Sequence, residues 1–166
     1  MIRFSKEEWS DPYPVFEDGW TIPGCPVNGP ALDAYENQVA IAWFTAPNHE
    51  AKVNVAFSKD GGRSFRNPIQ IDHGSAIGRT DVNWLNDKTV LVSWIEEGEE
   101  ADQLILKSIG LDDANIKDQK SFIINSGRGS GYPKLALSGN FIFITWTDPG
   151  DGGSIRSEWI SIKKFL

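Results

Sequence analysis

The chain has 166 residues, of which 40% are hydrophobic and 23% charged, a composition typical of one soluble globular domain. Its formal net charge of −7 would repel a phosphate backbone or an anionic membrane surface, so we predict neither nucleic acid nor membrane as a partner. Cys25 is the single cysteine, which excludes an intrachain disulfide and a cysteine-based metal cluster.

The N-terminal residues 1–8 have neither the basic end nor the apolar run of a signal peptide, and no stretch of the chain approaches about 18 apolar residues. Seven tryptophans, 16 glycines and 9 prolines suit many short strands joined by tight turns. The composition therefore favours an all-β fold.

Three similar units follow one another along the chain, each made of short β-branched and aromatic segments separated by turn signals. The predicted strands of the first unit, 17–72, are 30–32, 39–43, 53–58 and 68–71. Those of the second unit, 73–125, are 82–85, 90–94, 104–108 and 121–124. The third unit, 126–166, has predicted strands at 134–137, 142–146 and 155–161.

The second strand of each unit ends in a tryptophan, and these residues, Trp43, Trp94 and Trp146, lie 51 and 52 residues apart. Four short antiparallel strands repeated at this spacing are typical of a β-propeller blade, which needs neighbours to bury both of its faces. A β-sandwich is the alternative. It would explain the density of strands, but not why a tryptophan recurs at the same position of each unit.

Residues 58–65 read Ser-Lys-Asp-Gly-Gly-Arg-Ser-Phe, between the third and fourth strands of the first unit. In such a hairpin the Asp60 carboxylate can accept backbone N–H groups, and Gly62 permits a positive φ. The segment resembles the Ser-x-Asp-x-Gly-x-Thr-Trp Asp-box, or BNR repeat, of sialidase-like β-propellers. The resemblance implies a structural role for Ser58, Asp60, Gly62 and Phe65, on the face away from substrate.

The N-terminus resembles the same hairpin with a shortened turn, which predicts a fourth strand over residues 9–16. The chain then has twelve strands, which make three blades if strand 9–16 completes the blade at 126–166. This strand can come from the same chain or be exchanged between two chains. Sialidases have six blades, so the resemblance implies half of a six-bladed propeller and a homodimer that completes the ring. It also implies a secreted or periplasmic protein, and a fragment of a longer secreted enzyme remains an alternative.

In a propeller, the loops that lead into first strands and those between second and third strands open on one face. Here these loops carry Trp20, Asn28, His49, His73, Arg79, Asp81, Glu96, Glu97, Arg128, Tyr132 and Asp148. Arg79 and Arg128 each follow a glycine in corresponding loops, where two guanidinium groups can hold a carboxylate. Trp20 is a candidate for stacking on a sugar ring, and Asn28 for a polar contact to it.

The resemblance implies further roles: Tyr132 as nucleophile, Glu96 or its neighbour Glu97 as its base and Asp81 as acid/base. The predicted function is therefore binding or hydrolysis of an acidic sugar, without a cofactor or metal. The alternative is a catalytically inactive Asp-box propeller that serves as a structural or protein-interaction module. In that interpretation the arginines and glutamates are solvated loop residues, whereas Tyr132, Trp20 and Cys25 are packing residues.

Overall fold

A computed structural model describes residues 1–22, 24, 27–112, 116–125, 131–149 and 153–166. These residues confirm the predicted all-β class, since they form thirteen antiparallel strands and two single-turn 3₁₀ helices, at Pro47–His49 and Ile162–Lys164. Within the described ranges no helix is long and apolar enough to cross a membrane.

The strands form four sheets, in each of which consecutive strands are neighbours. A short hairpin pairs β1 (Phe4–Ser5) with β2 (Glu8–Trp9). Sheet 1 contains β3 (Ala31–Tyr35), β4 (Gln38–Thr45), β5 (Lys52–Ser58) and β6 (Ile69–Gln70). Sheet 2 contains β7 (Ala76–Asn86), β8 (Thr89–Glu96), β9 (Asp102–Gly110) and β10 (Ile116–Ile124). Sheet 3 contains β11 (Lys134–Ser138), β12 (Phe141–Asp148) and β13 (Ser154–Ser161).

The three larger sheets stack through two apolar cores. We call the side of a sheet that points toward the next sheet its front face and the opposite side its back face. Ala42 and Val55 on the front face of sheet 1 share one core with Trp94 on the back face of sheet 2. Leu91 on the front face of sheet 2 shares the other core with Ile144 on the back face of sheet 3.

Sheet 2 is therefore covered on both sides, and its strand β8 is buried along its whole length. This explains its nearly continuous apolar sequence, because a strand covered on both faces gains from burying every side chain.

The first strands of the three sheets lie next to one another and are joined by aspartate side chains. Asp33 on β3 accepts the backbone N–H of Trp84 on β7 at 2.8 Å. Asp81 on β7 in turn accepts the backbone N–H of Leu135 on β11 at 2.8 Å. Each carboxylate thus ties one first strand to the next.

The structure differs from the prediction at the N-terminus, where only Trp9 of the range 9–16 lies in a strand. Tyr13 donates its backbone N–H to the carbonyl of Met1 at 3.0 Å, so the chain folds back on its own start. Pro12 and Pro14 have no N–H group to donate to a further strand on the opposite edge, which explains why no ladder forms there.

Candidate functional site

A bulge near the start of β7 positions the first predicted site residues. The register of β7 against β8 shifts between Gly78 and Asp81, and both Gly78 and Arg79 have positive φ, of 96° and 59°. Asn28 holds this bulge through its side-chain amide: Oδ1 accepts the Arg79 N–H at 3.0 Å, and Nδ2 donates to the Ile77 carbonyl at 3.0 Å. Since a Cβ on Gly78 would lie 2.8 Å from the Asn28 amide, only glycine fits there.

The bulge places Arg79 next to Tyr132. The guanidinium Nη1 donates to the backbone carbonyl of Gly131 at 2.9 Å, and its central carbon lies 6.0 Å from the centroid of the Tyr132 ring. Tyr132 is 42% exposed. The structure therefore brings Asn28, Arg79 and Tyr132 together, joining the loop before β3, the start of β7 and the residues before β11.

Glu96 occupies a different, buried cluster at the end of β8. Its Oε1 accepts the backbone N–H of His73 at 2.9 Å and the indole N–H of Trp94 at 2.7 Å. Its Oε2 lies 3.0 Å from the His73 Nδ1. Both oxygens of Glu96 thus have protein partners.

Lys107 completes this cluster from the middle of β9. Its Nζ donates to the Ile71 carbonyl at 2.5 Å, lies 3.3 Å from the His73 Nε2 and is 5.2 Å from the Trp94 ring centroid. The Lys107 ammonium group and the Glu96 carboxylate thus contact the two ring nitrogens of His73 from opposite sides of the ring. Burial lowers the pKa of Lys107, and the negative charges of Glu96 and Asp72 oppose this shift.

Asp81 lies at the junction of sheets 2 and 3. Besides the Leu135 N–H, its carboxylate accepts the Val82 N–H at 3.1 Å and lies 3.5 Å from the Lys134 ammonium group. The Asp81 side chain is largely buried, so its carboxylate contacts mainly these protein groups and little solvent.

Trp20 packs beside sheet 1, with its ring edge-on to Phe44 at 5.5 Å between centroids. Its backbone N–H donates to Asp18, whose other carboxylate oxygen accepts the indole N–H of Trp43 at 3.2 Å. Arg128, the predicted second half of the carboxylate clamp, lies outside the described residues, as does Cys25.

Residues 58–65, which resemble an Asp-box, form a tight hairpin after β5. The Asp60 Oδ1 accepts the N–H groups of Arg63 and Ser64 at 2.8 and 3.0 Å, and its Oδ2 accepts the Ser64 hydroxyl at 2.7 Å. Ser58 donates its hydroxyl to Asp60 and accepts the N–H of Gly62, at 2.7 and 2.8 Å. Phe65, which closes the hairpin, is half-buried.

Lys107 was not among the predicted site residues. Its sequence signal is a lysine inside the apolar run Leu-Ile-Leu-Lys of β9, a position where a strand buried on both faces rarely tolerates a charge. Within the described ranges no group of three or more His, Cys, Asp or Glu residues could hold a metal ion.

Comparison with known proteins gives no family assignment, because no family model and no curated protein matches this chain.

Proposed function

We propose that this chain is a sialidase-like Asp-box β-propeller unit that binds a carboxylate-bearing sugar at Arg79. The observation that carries the proposal is the position of the Arg79 guanidinium beside the exposed ring of Tyr132, on a bulge held by Asn28. A guanidinium group recognises a carboxylate through two parallel hydrogen bonds, and an aromatic ring offers an apolar surface to a sugar. Together they match an acidic sugar better than a neutral one.

The sheet arrangement supports the propeller interpretation. Three meandering sheets stack front to back, with their first strands adjacent and joined by Asp33 and Asp81. Propeller blades stack in this way around their axis.

Binding without hydrolysis fits the surroundings of Glu96 and Asp81, the two carboxylates with predicted catalytic roles. A general acid or base must reach the reacting atoms directly or through one water. Glu96 is buried against His73 and Trp94, whereas Asp81 joins two sheets. We therefore propose that a bound sugar leaves chemically unchanged.

The proposal is tested by calorimetric titration with N-acetylneuraminic acid and with its methyl ester, which lacks the charge. We expect the acid to bind at least tenfold more tightly than the ester, and Arg79→Gln to weaken acid binding by about tenfold to a hundredfold. Arg63→Gln, in the Asp-box hairpin, is the matched control and should leave binding unchanged. Equal affinity for acid and ester would contradict the proposal, as would the absence of binding.

A fluorogenic sialoside separates binding from hydrolysis. We expect no release of the fluorophore by the wild-type chain at concentrations that saturate the site. Release that is lost in Tyr132→Phe would instead support the hydrolytic alternative.

A protein-interaction role is the second candidate, and a separate observation favours it. The front face of sheet 3 exposes Phe141, Ile155 and Trp159 to solvent. Contiguous apolar surface of this kind marks interaction sites.

A further inference from the structure

We infer that the cleft between the N-terminal segment and the back face of sheet 1 binds a small organic ammonium ion, whose positive charge contacts Asp18. The ligand class is one ammonium group on an apolar body, as in an arylalkylamine. Its charge is opposite to that of the sugar proposed to bind at Arg79, so neither ligand implies the other.

The cleft has the size and the lining of a small-molecule pocket. Its volume is about 430 Å³. Most of its wall is apolar and is formed by Val15, Phe16, Pro30, Leu32 and Ile41. Phe16 and Leu32 are 45% and 51% exposed, so the cleft is open to solvent.

Asp18 has the only charged side chain among the described residues that line this cleft. Its Oδ1 accepts the backbone N–H of Trp20 at 3.1 Å, and its Oδ2 accepts the indole N–H of Trp43 at 3.2 Å. Burial raises the pKa of Asp18, but the nearby Thr45 hydroxyl and these two N–H groups lower it by more. The carboxylate is therefore ionised at neutral pH.

The described part of the chain does not neutralise this charge. No lysine, arginine or histidine within the described ranges forms an ion pair with Asp18. Met1 also lines the cleft, but its ammonium group donates to the Tyr13 carbonyl. A partly buried carboxylate gains from a positive partner, because desolvation makes an unpaired charge unfavourable. The cleft thus offers a negative charge to a ligand.

The other lining residues favour an organic cation over a metal ion. Calcium and magnesium bind several oxygen ligands at once, whereas the Asn28 amide is already bonded to the Ile77 carbonyl and the Arg79 N–H. The Trp43 indole lies next to the Asp18 carboxylate, and aromatic rings also attract ammonium groups. The apolar wall then fits the hydrocarbon body of the ligand.

NMR of the wild-type chain tests the inference through the indole N–H of Trp43, which donates to Asp18. Titration with phenethylammonium should shift this proton–nitrogen correlation signal until it saturates. Phenethyl alcohol has the same ring without the charge, and methylammonium has the charge without the apolar body. We expect each of them to bind about tenfold more weakly or worse.

Three results with the wild-type chain would overturn the inference. The first is the absence of a saturating shift with phenethylammonium. The second is equal affinity for phenethyl alcohol, because the charge would then contribute nothing. The third is equal affinity for methylammonium, which would show only a general attraction of cations to a chain of net charge −7.

A pair of charge variants assigns the contact to Asp18. Asp18→Asn should weaken phenethylammonium binding by about tenfold or more, because it removes the charge from the cleft. Glu17→Gln removes an exposed charge one residue away and is the matched control, which should bind like wild type. Thermal melting checks that both variants fold. Unchanged binding by Asp18→Asn, or equal weakening in both variants, would contradict the assignment.

A second pair of variants tests the cleft without removing the carboxylate. Leu32→Trp fills part of the cleft and should weaken binding by about tenfold. The variant should fold, since Leu32 is half-exposed. Leu137→Trp makes the same change at a 41% exposed position of sheet 3 and should bind like wild type. Full affinity in Leu32→Trp would place the ligand outside the cleft and overturn the inference.

Discussion

Asp60 stabilises the hairpin after β5 by accepting hydrogen bonds from the turn. The N–H and hydroxyl groups of Ser64, with the Ser58 hydroxyl, hold the pKa of Asp60 well below its usual range. The ionised carboxylate therefore stabilises the fold at neutral pH. The pKa of the carboxyl group is about 3.9 in the unfolded chain and lower in the folded one. The stabilisation is therefore lost as the pH falls from the first of these pKa values through the second.

Asp60→Ala should lower the melting temperature at pH 7 and leave sugar binding unchanged, because the Asp-box lies apart from Arg79. The difference from wild type should narrow as the pH is lowered from 5 toward 2 in thermal melts, since protonation removes the same interaction. Asp11→Ala, which removes an exposed aspartate, is the control. A variant that melts like wild type but loses sugar binding would contradict this prediction, because it would assign Asp60 to the ligand-binding face and not to the hairpin.

Lys107 gives the buried cluster a pH dependence of the same sign, but in the alkaline range. Burial lowers its pKa below 10.5, so between the lowered value and 10.5 the unfolded chain binds more protons than the folded one. Stability attributable to Lys107 therefore rises with pH across this window. Urea unfolding of Lys107→Met should show a smaller rise between pH 7 and pH 10 than wild type. Lys120→Met is the control, and an unchanged slope in Lys107→Met would contradict the assignment.

At the scale of elements, the bulge in β7 depends on Gly78. Gly78→Ala should lower the free energy of unfolding by about 1–3 kcal/mol, because the residue has a positive φ and its Cβ would collide with Asn28. It should also weaken sugar binding, since Asn28 positions Arg79. Gly139→Ala is the control: this glycine also has a positive φ, but its Cβ would meet nothing within 4 Å, so about 1 kcal/mol is expected. If Gly78→Ala and Gly139→Ala lowered the free energy of unfolding in urea by the same amount, the result would show that Asn28 does not constrain the bulge.

The sheets could be predicted from the sequence because each follows from local periodicity. Trp43, Trp94 and Trp146 lie on the second strand of three successive sheets, as their spacing indicates. Of the range 9–16, predicted as a strand that completes a blade, only Trp9 lies in a strand of the single chain, and two prolines in the later part of the segment lack the N–H groups of a regular ladder.

The site could be predicted only in part. Asn28 and Tyr132 lie just before a first strand and Arg79 lies near the start of one, so the repeat places all three at one end of the sheets and their proximity follows from the topology. The surroundings of Glu96 depend on Lys107, which reaches Ile71 and His73 in the segment after sheet 1. The apolar run around Lys107 marks this lysine as unusual, but its partners lie in a distant segment of the chain and have no signal in local sequence.

At the scale of the whole molecule, the main feature is that the three larger sheets are buried to different extents. Sheet 2 is buried on both faces and the two central strands of sheet 1 are largely buried, whereas the front face of sheet 3 exposes Phe141 and Trp159. Apolar sheet faces and unpaired edges favour association, so proteins normally cover them. The homodimer predicted from the sequence would cover the exposed face of sheet 3.

Small-angle X-ray scattering of the wild-type chain tests the predicted homodimer most directly, because it reports mass and shape together. The account predicts a particle of twice 18.4 kDa with a radius of gyration of about 20 Å, and a distance distribution that fits a closed ring of stacked sheets. A particle of 18.4 kDa with a radius of gyration of about 15 Å at all concentrations would contradict it.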